Sequence, residues 1–343
     1  MAETLKWGIL GCGRVARQAV GPGIQRSANG NIVAAGSRSR EKARAFAADF
    51  GASRAHGSYA DLIADPEVEA VYVALPNSMH CAWTIRAAEA GKHVLCEKPL
   101  AANAGEATQM AAACRRHGVT LMEAFAHTFH PHNRMARRLI EEGRIGRLQR
   151  IAAVHSGGRP PDDDVRLSAE LAGGALMDKG CYCINTARYL FAAEPLSVYA
   201  TAEFGETSRV DERLVATLEF PGGGIAQFET SLTLADNQQY SQGCEIFGER
   251  GRLFLPYAYS QVATYRFGRE VETALHIFQD DIESPREEKL IFDGVHQWHL
   301  QVEYFAARVL AGLPLELPAE DGVANMRVID AIYDRAGMRM RGA

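Results

Sequence analysis

The side chains that could do chemistry gather in two short stretches of the 343-residue chain. In Val94-Leu95-Cys96-Glu97-Lys98-Pro99 an apolar run ends in a carboxylate and an amine and is stopped by proline. Proline has no N–H and a fixed φ, so a strand end suits it. Glu97 and Lys98 then stand at the carboxyl end of a strand, where open α/β sheets hold their ligands. In Asp178-Lys179-Gly180-Cys181-Tyr182-Cys183-Ile184-Asn185, positions 178, 182 and 185 are four and three apart and share one helical face. A tyrosine, with an ordinary pKa of about 10, serves as a base near neutrality only if a cation stabilises its phenolate. Lys98 can be that cation, Asp178 can orient a substrate or Lys98, and Asn185 offers an amide to a second hydroxyl. Such a set could remove the proton of an alcohol whose carbon is being oxidised. Taken alone, Glu97-Lys98 reads equally as a surface ion pair and Tyr182 as a half-buried aromatic, so the surrounding elements decide.

Those elements begin with an apolar strand, Leu5 to Leu10, that runs into Gly11-Cys12-Gly13-Arg14-Val15-Ala16 and then a helix opening over Ala16 to Val20. This GxGxxA between strand and helix has the context of a dinucleotide-binding turn. Gly11 permits the tight turn, Gly13 lets the backbone approach a pyrophosphate, and Ala16 lets the helix lie close to the strand. Unpaired N–H groups at the helix start favour phosphate. The next strand, Asn31 to Ala35, leads into Gly36-Ser37-Arg38-Ser39-Arg40-Glu41-Lys42 without the acid that usually grips a ribose 2′-hydroxyl. Ser37, Arg38 and Lys42 suit a 2′-phosphate instead, so NADP is expected in preference to NAD.

A strand over Val68 to Leu75, the closing segment Pro76-Asn77-Ser78-Met79-His80, a helix from Cys81 to Ala90 stopped by Gly91, a helix from Asn103 to His117 and a strand from Val119 to Phe125 complete the first half. Strand and helix alternate as in a doubly wound parallel sheet. The expected fold class is an α/β Rossmann domain over 1–125 followed by an α+β domain over 126–319 with a large, mostly antiparallel open sheet, and a final helix, 320–338, returning to the first.

Composition narrows the function classes. The apolar fraction of 47% and formal charge of -5 describe an ordinary soluble protein. No basic block marks a nucleic-acid partner, and no run approaches the ~18 apolar residues that span a membrane. Met-Ala-Glu-Thr-Leu-Lys lacks the basic and apolar segments of a secretion signal, so a cytoplasmic location is expected. The seven cysteines include no CxxC pair, which points to reduced thiols and to neither a disulfide framework nor a metal site.

Gly11-Cys12-Gly13, Pro76-Asn77-Ser78-Met79-His80 and Glu97-Lys98-Pro99, in that order, together with Asp178-Lys179-Gly180-Cys181-Tyr182, resemble the glucose–fructose oxidoreductase / inositol dehydrogenase / rhizopine-catabolism family of dehydrogenases. The resemblance implies that Lys98 reaches both nicotinamide and substrate and that Tyr182 is the acid/base. It adds Cys12, Arg14, Val15, Leu75, Pro76, Asn77, His80 and Glu97 to the cofactor contacts. Tyrosine at 182, where many members carry histidine, is similar to the branch holding glucose–fructose oxidoreductase, dimeric dihydrodiol dehydrogenase and certain D-xylose dehydrogenases. Related sugar enzymes often have arginine where Thr128 stands, which leaves the sugar open. The implied substrate is a sugar, polyol or cyclic diol, bound by Lys98, Asp178, Tyr182, Asn185 and His155. A nucleotide- or sugar-sensing protein without turnover, and a sugar–sugar oxidoreductase that retains its NADP, are the alternatives.

In the second half, strands are expected at Leu148 to Ser156, Leu196 to Phe204, Arg213 to Phe220, Gly224 to Leu232, Gly243 to Phe247 and Arg252 to Leu255, with a hairpin at Pro221-Gly222-Gly223. A helix is expected from His299 to Leu310, and 281–289 reads as a solvated loop. An open antiparallel sheet needs its second face covered, so a homodimer or homotetramer through this sheet is expected.

Overall fold

A computed structural model describes residues 3–234, 242–259, 273–279, 286–292 and 294–338. The chain divides into two compact units, Met1–Ala126 with His296–Met326, and His127–Val295 with Arg327–Arg341.

The first unit holds a six-stranded sheet of β1 (Leu5–Leu10), β2 (Gly30–Gly36), β3 (Arg54–His56), β4 (Ala70–Val73), β5 (His93–Cys96) and β6 (Leu121–Glu123). Their order is β3-β2-β1-β4-β5-β6, every pair parallel. Trp7, Ile9, Val71, Tyr72, Val94 and Leu95 are fully buried, as expected of strands covered on both faces. The order reverses between β1 and β4, which opens a ligand crevice at their carboxyl ends.

Around it lie α1 (Gly21–Arg26), α2 (Arg40–Phe50), α3 (Tyr59–Ala64), α4 (Asn77–Glu89) and α5 (Ala104–Arg116). The side chains of Ser39, Ser58 and Asn103 cap α2, α3 and α5 by accepting backbone N–H bonds. Helix α4 starts four residues before the expected Cys81, because Pro76 is extended and ends the preceding loop itself. The expected strands 68–75 and 119–125 shorten to β4 and β6, since only their centres pair.

In the second unit, α6 (Pro131–Glu141) and α7 (Cys181–Phe191) accompany an eight-stranded sheet. It is built from β7 (Leu148–Ser156), β8 (Ser197–Phe204), β9 (Asp211–Phe220), β10 (Gly224–Ser231), β11 (Cys244–Gly248), β12 (Gly251–Leu255), β13 (Ala274–Gln279) and β14 (Arg286–Ile291), ordered β14-β13-β12-β11-β7-β10-β9-β8. All pairs are antiparallel except β7 with β10. Helix α7 lies on β7 and β10, and a Cβ on Gly180 would come within 3.2 Å of Thr230 and 3.3 Å of Phe228, so glycine sets that close approach.

The expected loop over 281–289 is corrected in part. Residues 286–289 belong to the edge strand β14, whose charged Arg-Glu-Glu-Lys suits an exposed edge, while 281–285 lie outside the described residues. Helix α6 is not among the sequence expectations. Helix α8 (Gln297–Leu310) groups with the first unit, although the sequence division assigns it to the second. Its Phe305 ring is 5.3 Å from that of Trp7, and Asn29 donates to the Glu303 carbonyl at 2.9 Å. The last helix, α9 (Ala319–Arg335), is shared between the units at Met326. Among the described residues no helix is long and apolar enough to cross a membrane.

Candidate active site

In the first unit the glycine turn after β1 separates two roles. Gly11 has φ +106°, and a Cβ there would sit 2.4 Å from the Ala74 carbonyl oxygen, so this glycine is demanded by the protein's own packing. At Gly13 a Cβ would meet nothing within 4 Å. Packing does not require that glycine, which fits a place where a ligand's pyrophosphate approaches the backbone. Arg14 is exposed and Cys12 and Val15 half-buried. Cys12 donates to the Gly36 carbonyl at 3.6 Å, and burial raises its thiol to about 11. Beyond them Ala16–Val20 forms a π-helical turn before α1, a departure from the expected regular helix that is common at functional sites.

At the end of β2, Ser37 is buried and its hydroxyl accepts from the Ser39 N–H at 3.2 Å. Arg38 is exposed, and its charge acts on the phenol of Tyr59, whose ring packs edge-on against Trp83 at 5.1 Å. Lys42 is exposed on the first turn of α2. No carboxylate occupies 37–40, so the residues present fit a 2′-phosphate.

The lysine's loop is held from two sides. Glu97, 9% exposed, accepts from the Tyr72 hydroxyl and, at 3.2 Å, from the Lys98 N–H. His80 is fully buried, with Nε2 2.9 Å from the Leu75 carbonyl oxygen and Nδ1 3.0 Å from that of Pro99. Burial, with the Lys98 charge, holds its imidazole below the ordinary value. The neutral ring has one N–H, so one of these carbonyls is its acceptor. Both ring nitrogens of His80 face protein backbone. It ties the Pro76-Asn77 segment to the Lys98-Pro99 segment. Leu75 is buried, and Asn77 opens α4 with Pro76 as its N-cap residue.

In the second unit Leu176–Gly180 is a second π-helical turn, continued directly by α7. Asp178 stands in the wide turn and Tyr182 in the first turn of α7; both are half-buried on an otherwise buried segment. Asn185, expected on the same face, is 3% exposed, and its Oδ1 has no hydrogen-bond partner among the described residues. The Tyr182 ring lies 5.1 Å from His127, 5.1 Å from His155 and 5.8 Å from Tyr259. His155, on β7, stacks on Tyr259 at 4.9 Å. His127 shares a 3.1 Å hydrogen bond with the Thr186 hydroxyl, one turn beyond Tyr182. Burial pushes the Tyr259 phenol well above its ordinary value and Cys183 to about 12, so both stay protonated near neutrality. Thr128 is buried, its carbonyl accepting from Arg134 at 3.3 Å.

Asp178 is committed to a cation that the sequence motifs omit: Arg166 Nε donates to its Oδ2 at 2.8 Å. Arg166, His127 and Tyr259 are the site residues sequence reasoning missed. A conspicuous Ala-His-Thr-Phe-His run pointed near His127; nothing in the local sequence marks the other two.

A family model described as "Oxidoreductase family, NAD-binding Rossmann fold" matches residues 5–125, and one for the "GFO/IDH/MocA C-terminal domain" matches 133–254. The chain is similar to D-xylose 1-dehydrogenase (NADP(+)) 2 of Haloferax volcanii, 36% identical over 97% of both chains. Among solved structures it is similar to an aldose-aldose oxidoreductase from Caulobacter crescentus (TM-score 0.87, 28% identical, 98% of both chains). It is equally similar to a 3-ketoreductase from Actinomadura kijaniata in complex with NADP and TDP-benzene (TM-score 0.87, 30% identical, 98% of both chains).

Proposed function

This chain belongs to the Gfo/Idh/MocA oxidoreductase family, and we propose that it is an NADP-dependent dehydrogenase or reductase acting on a secondary alcohol of a sugar, polyol or cyclic diol. The observation that carries the reading is Tyr182, half-buried on the π-to-α helix and walled by His127, His155 and Tyr259. That setting keeps the ring in one orientation and leaves the phenol as the group able to take an alcohol proton. Gly13, Ser37 and Arg38 hold the nucleotide, with Arg38 on the 2′-phosphate. When bound, the nicotinamide supplies the site that accepts or returns the hydride. Lys98, its loop fixed by Glu97 and His80, supplies the positive charge that polarises the substrate oxygen. Asp178 and Asn185 receive further hydroxyls, which suits a polyhydroxylated ring.

The test is a screen of aldoses, polyols and aromatic dihydrodiols with NADP and with NAD, followed by absorbance of the reduced nucleotide. Turnover of an aldose with NADP is expected, and no turnover of any member with either nucleotide would remove the reading. The likeness to the aldose-aldose oxidoreductase favours a second version, in which the nucleotide stays bound and shuttles between two sugars. Release of stoichiometric NADP on denaturing freshly purified protein would select it.

A further inference from the structure

Arg166 lies outside every motif that carries the family resemblance, on the 3-10 turn Val165–Leu167. Besides the bond to Asp178, its Nη1 donates to both oxygens of Asp164, at 3.0 and 3.2 Å, and its backbone N–H to Asp164 Oδ1 at 3.0 Å. Two glycines bring this turn against the helix start. The Gly174 N–H donates to the Arg166 carbonyl at 2.8 Å, and a Cβ on Gly173 would lie 2.4 Å from that oxygen. Lys179 Nζ, its side chain 8% exposed, is 3.9 Å from the same Asp178 Oδ2. Asp178 therefore faces two cations, with Asp164 behind one of them.

We infer that Arg166 is a positioning residue that holds Asp178 as a permanently ionised hydrogen-bond acceptor for a substrate hydroxyl, leaving proton transfer to Tyr182. The inference rests on the oxidoreductase reading of the Tyr182 helix. A guanidinium does not give up its proton in proteins, so its attraction favours the charged carboxylate at every working pH. The coupling is visible from the arginine's side, whose proton is held more tightly chiefly by the Asp178 charge. A carboxylate kept ionised aligns an alcohol well and relays its proton badly, because proton carriers work best with a pKa near the operating pH.

The test is a titration of the whole protein labelled with ¹³C at the aspartate carboxyl carbons, with Asp178→Asn identifying the Asp178 signal. In the wild type that signal should keep its ionised position to the lowest pH at which the fold survives. In Arg166→Met it should titrate at least about one pH unit higher; Arg166→Lys, which keeps the charge, should stay near the wild type. In parallel, NADP reduction with D-xylose is followed against pH. Arg166→Met should gain an acid limb that disappears when Asp178→Asn is added. A limb that survives in the double variant belongs to His127 or His155 and overturns the inference. An unchanged Asp178 titration in Arg166→Met overturns it too, whether or not any sugar turns over. A wild type inert toward D-xylose would leave the proposed function to the wider screen, and the titration would still judge Arg166.

Discussion

Tyr182→Phe removes one oxygen and keeps the ring that packs against His127, His155 and Tyr259, so folding and NADP affinity should survive while turnover falls. General acid–base catalysis contributes roughly 10²–10⁴-fold, and the loss should reach that range or exceed it. The oxidative rate of the wild type should rise through an apparent pKa below about 10, and that limb should vanish in the variant. On the proposed function Lys98→Met should cost a comparable factor, and a double variant that loses little more than either single one would show the two residues working in one step. Turnover by Tyr182→Phe at close to the wild-type rate would pass the proton to His155 or Asp178. On the proposed function Arg38 is the residue that selects NADP over NAD. Arg38→Ala should weaken NADP by about 1–3 kcal/mol, the scale of a hydrogen bond to a charged group, and leave NAD nearly unchanged. Nucleotide titrations with equal losses for both would show that Arg38 does not meet the 2′-phosphate.

The turn after β1 lets packing be separated from ligand binding. Gly11→Ala must place a Cβ 2.4 Å from the Ala74 oxygen at a φ of +106°, so β1 and the segment after β4 would have to part; a loss of at least about 1–3 kcal/mol is expected. Gly13→Ala meets no protein atom within 4 Å, so its melting temperature should match the wild type while NADP affinity falls. An unchanged affinity in Gly13→Ala would show that no nucleotide approaches there. The same contrast explains what the sequence could convey. Strands β1, β4 and β5 are legible because they are apolar on both faces and end at Gly or Pro. The edge strand β14 is not, since its Arg-Glu-Glu-Lys start has the composition of a loop. Charged α6, with Arg134, Arg137, Arg138 and Glu141, is obscured in the same way. Asp178 and Tyr182 are legible from their spacing, but the π-helical turn beneath them leaves no pattern in residue type. Arg166 is twelve residues from Asp178, and only the fold of the Gly173-Gly174 turn brings them together.

Across the whole molecule, buried histidines set the acid limit. Burial lowers both His130 and His296 to about 4, against about 6.5 in an unfolded chain. The unfolded state therefore binds more protons between about pH 6.5 and 4, and each histidine's share of stability, present above that window, is lost as pH falls through it. Moving an imidazole from about 6.5 to about 4 is worth about 3 kcal/mol per group. His130→Asn keeps a side-chain acceptor for the His132 N–H that His130 caps, so denaturant midpoints should fall less steeply with acid than in the wild type; an identical slope would exonerate His130. The second whole-molecule expectation is self-association. On the eight-stranded sheet, Tyr199, Val215 and Ile225 are 57%, 48% and 37% exposed on adjacent strands β8, β9 and β10. In register, Tyr199 stands opposite Thr217, Val215 opposite Thr201 and Glu229, and Ile225 opposite Glu219, so the apolar side chains are interleaved with threonines and glutamates. Large apolar side chains exposed on one face of neighbouring strands favour burial against another surface, and a two-fold pairing of the sheet with its own copy buries the same patch from both sides. Light scattering at micromolar concentration should give at least twice the monomer mass, and Val215→Lys, a change on an exposed face, should lower it without lowering the melting temperature of the isolated subunit. A wild-type monomer at that concentration would leave the sheet face to solvent and remove the expectation.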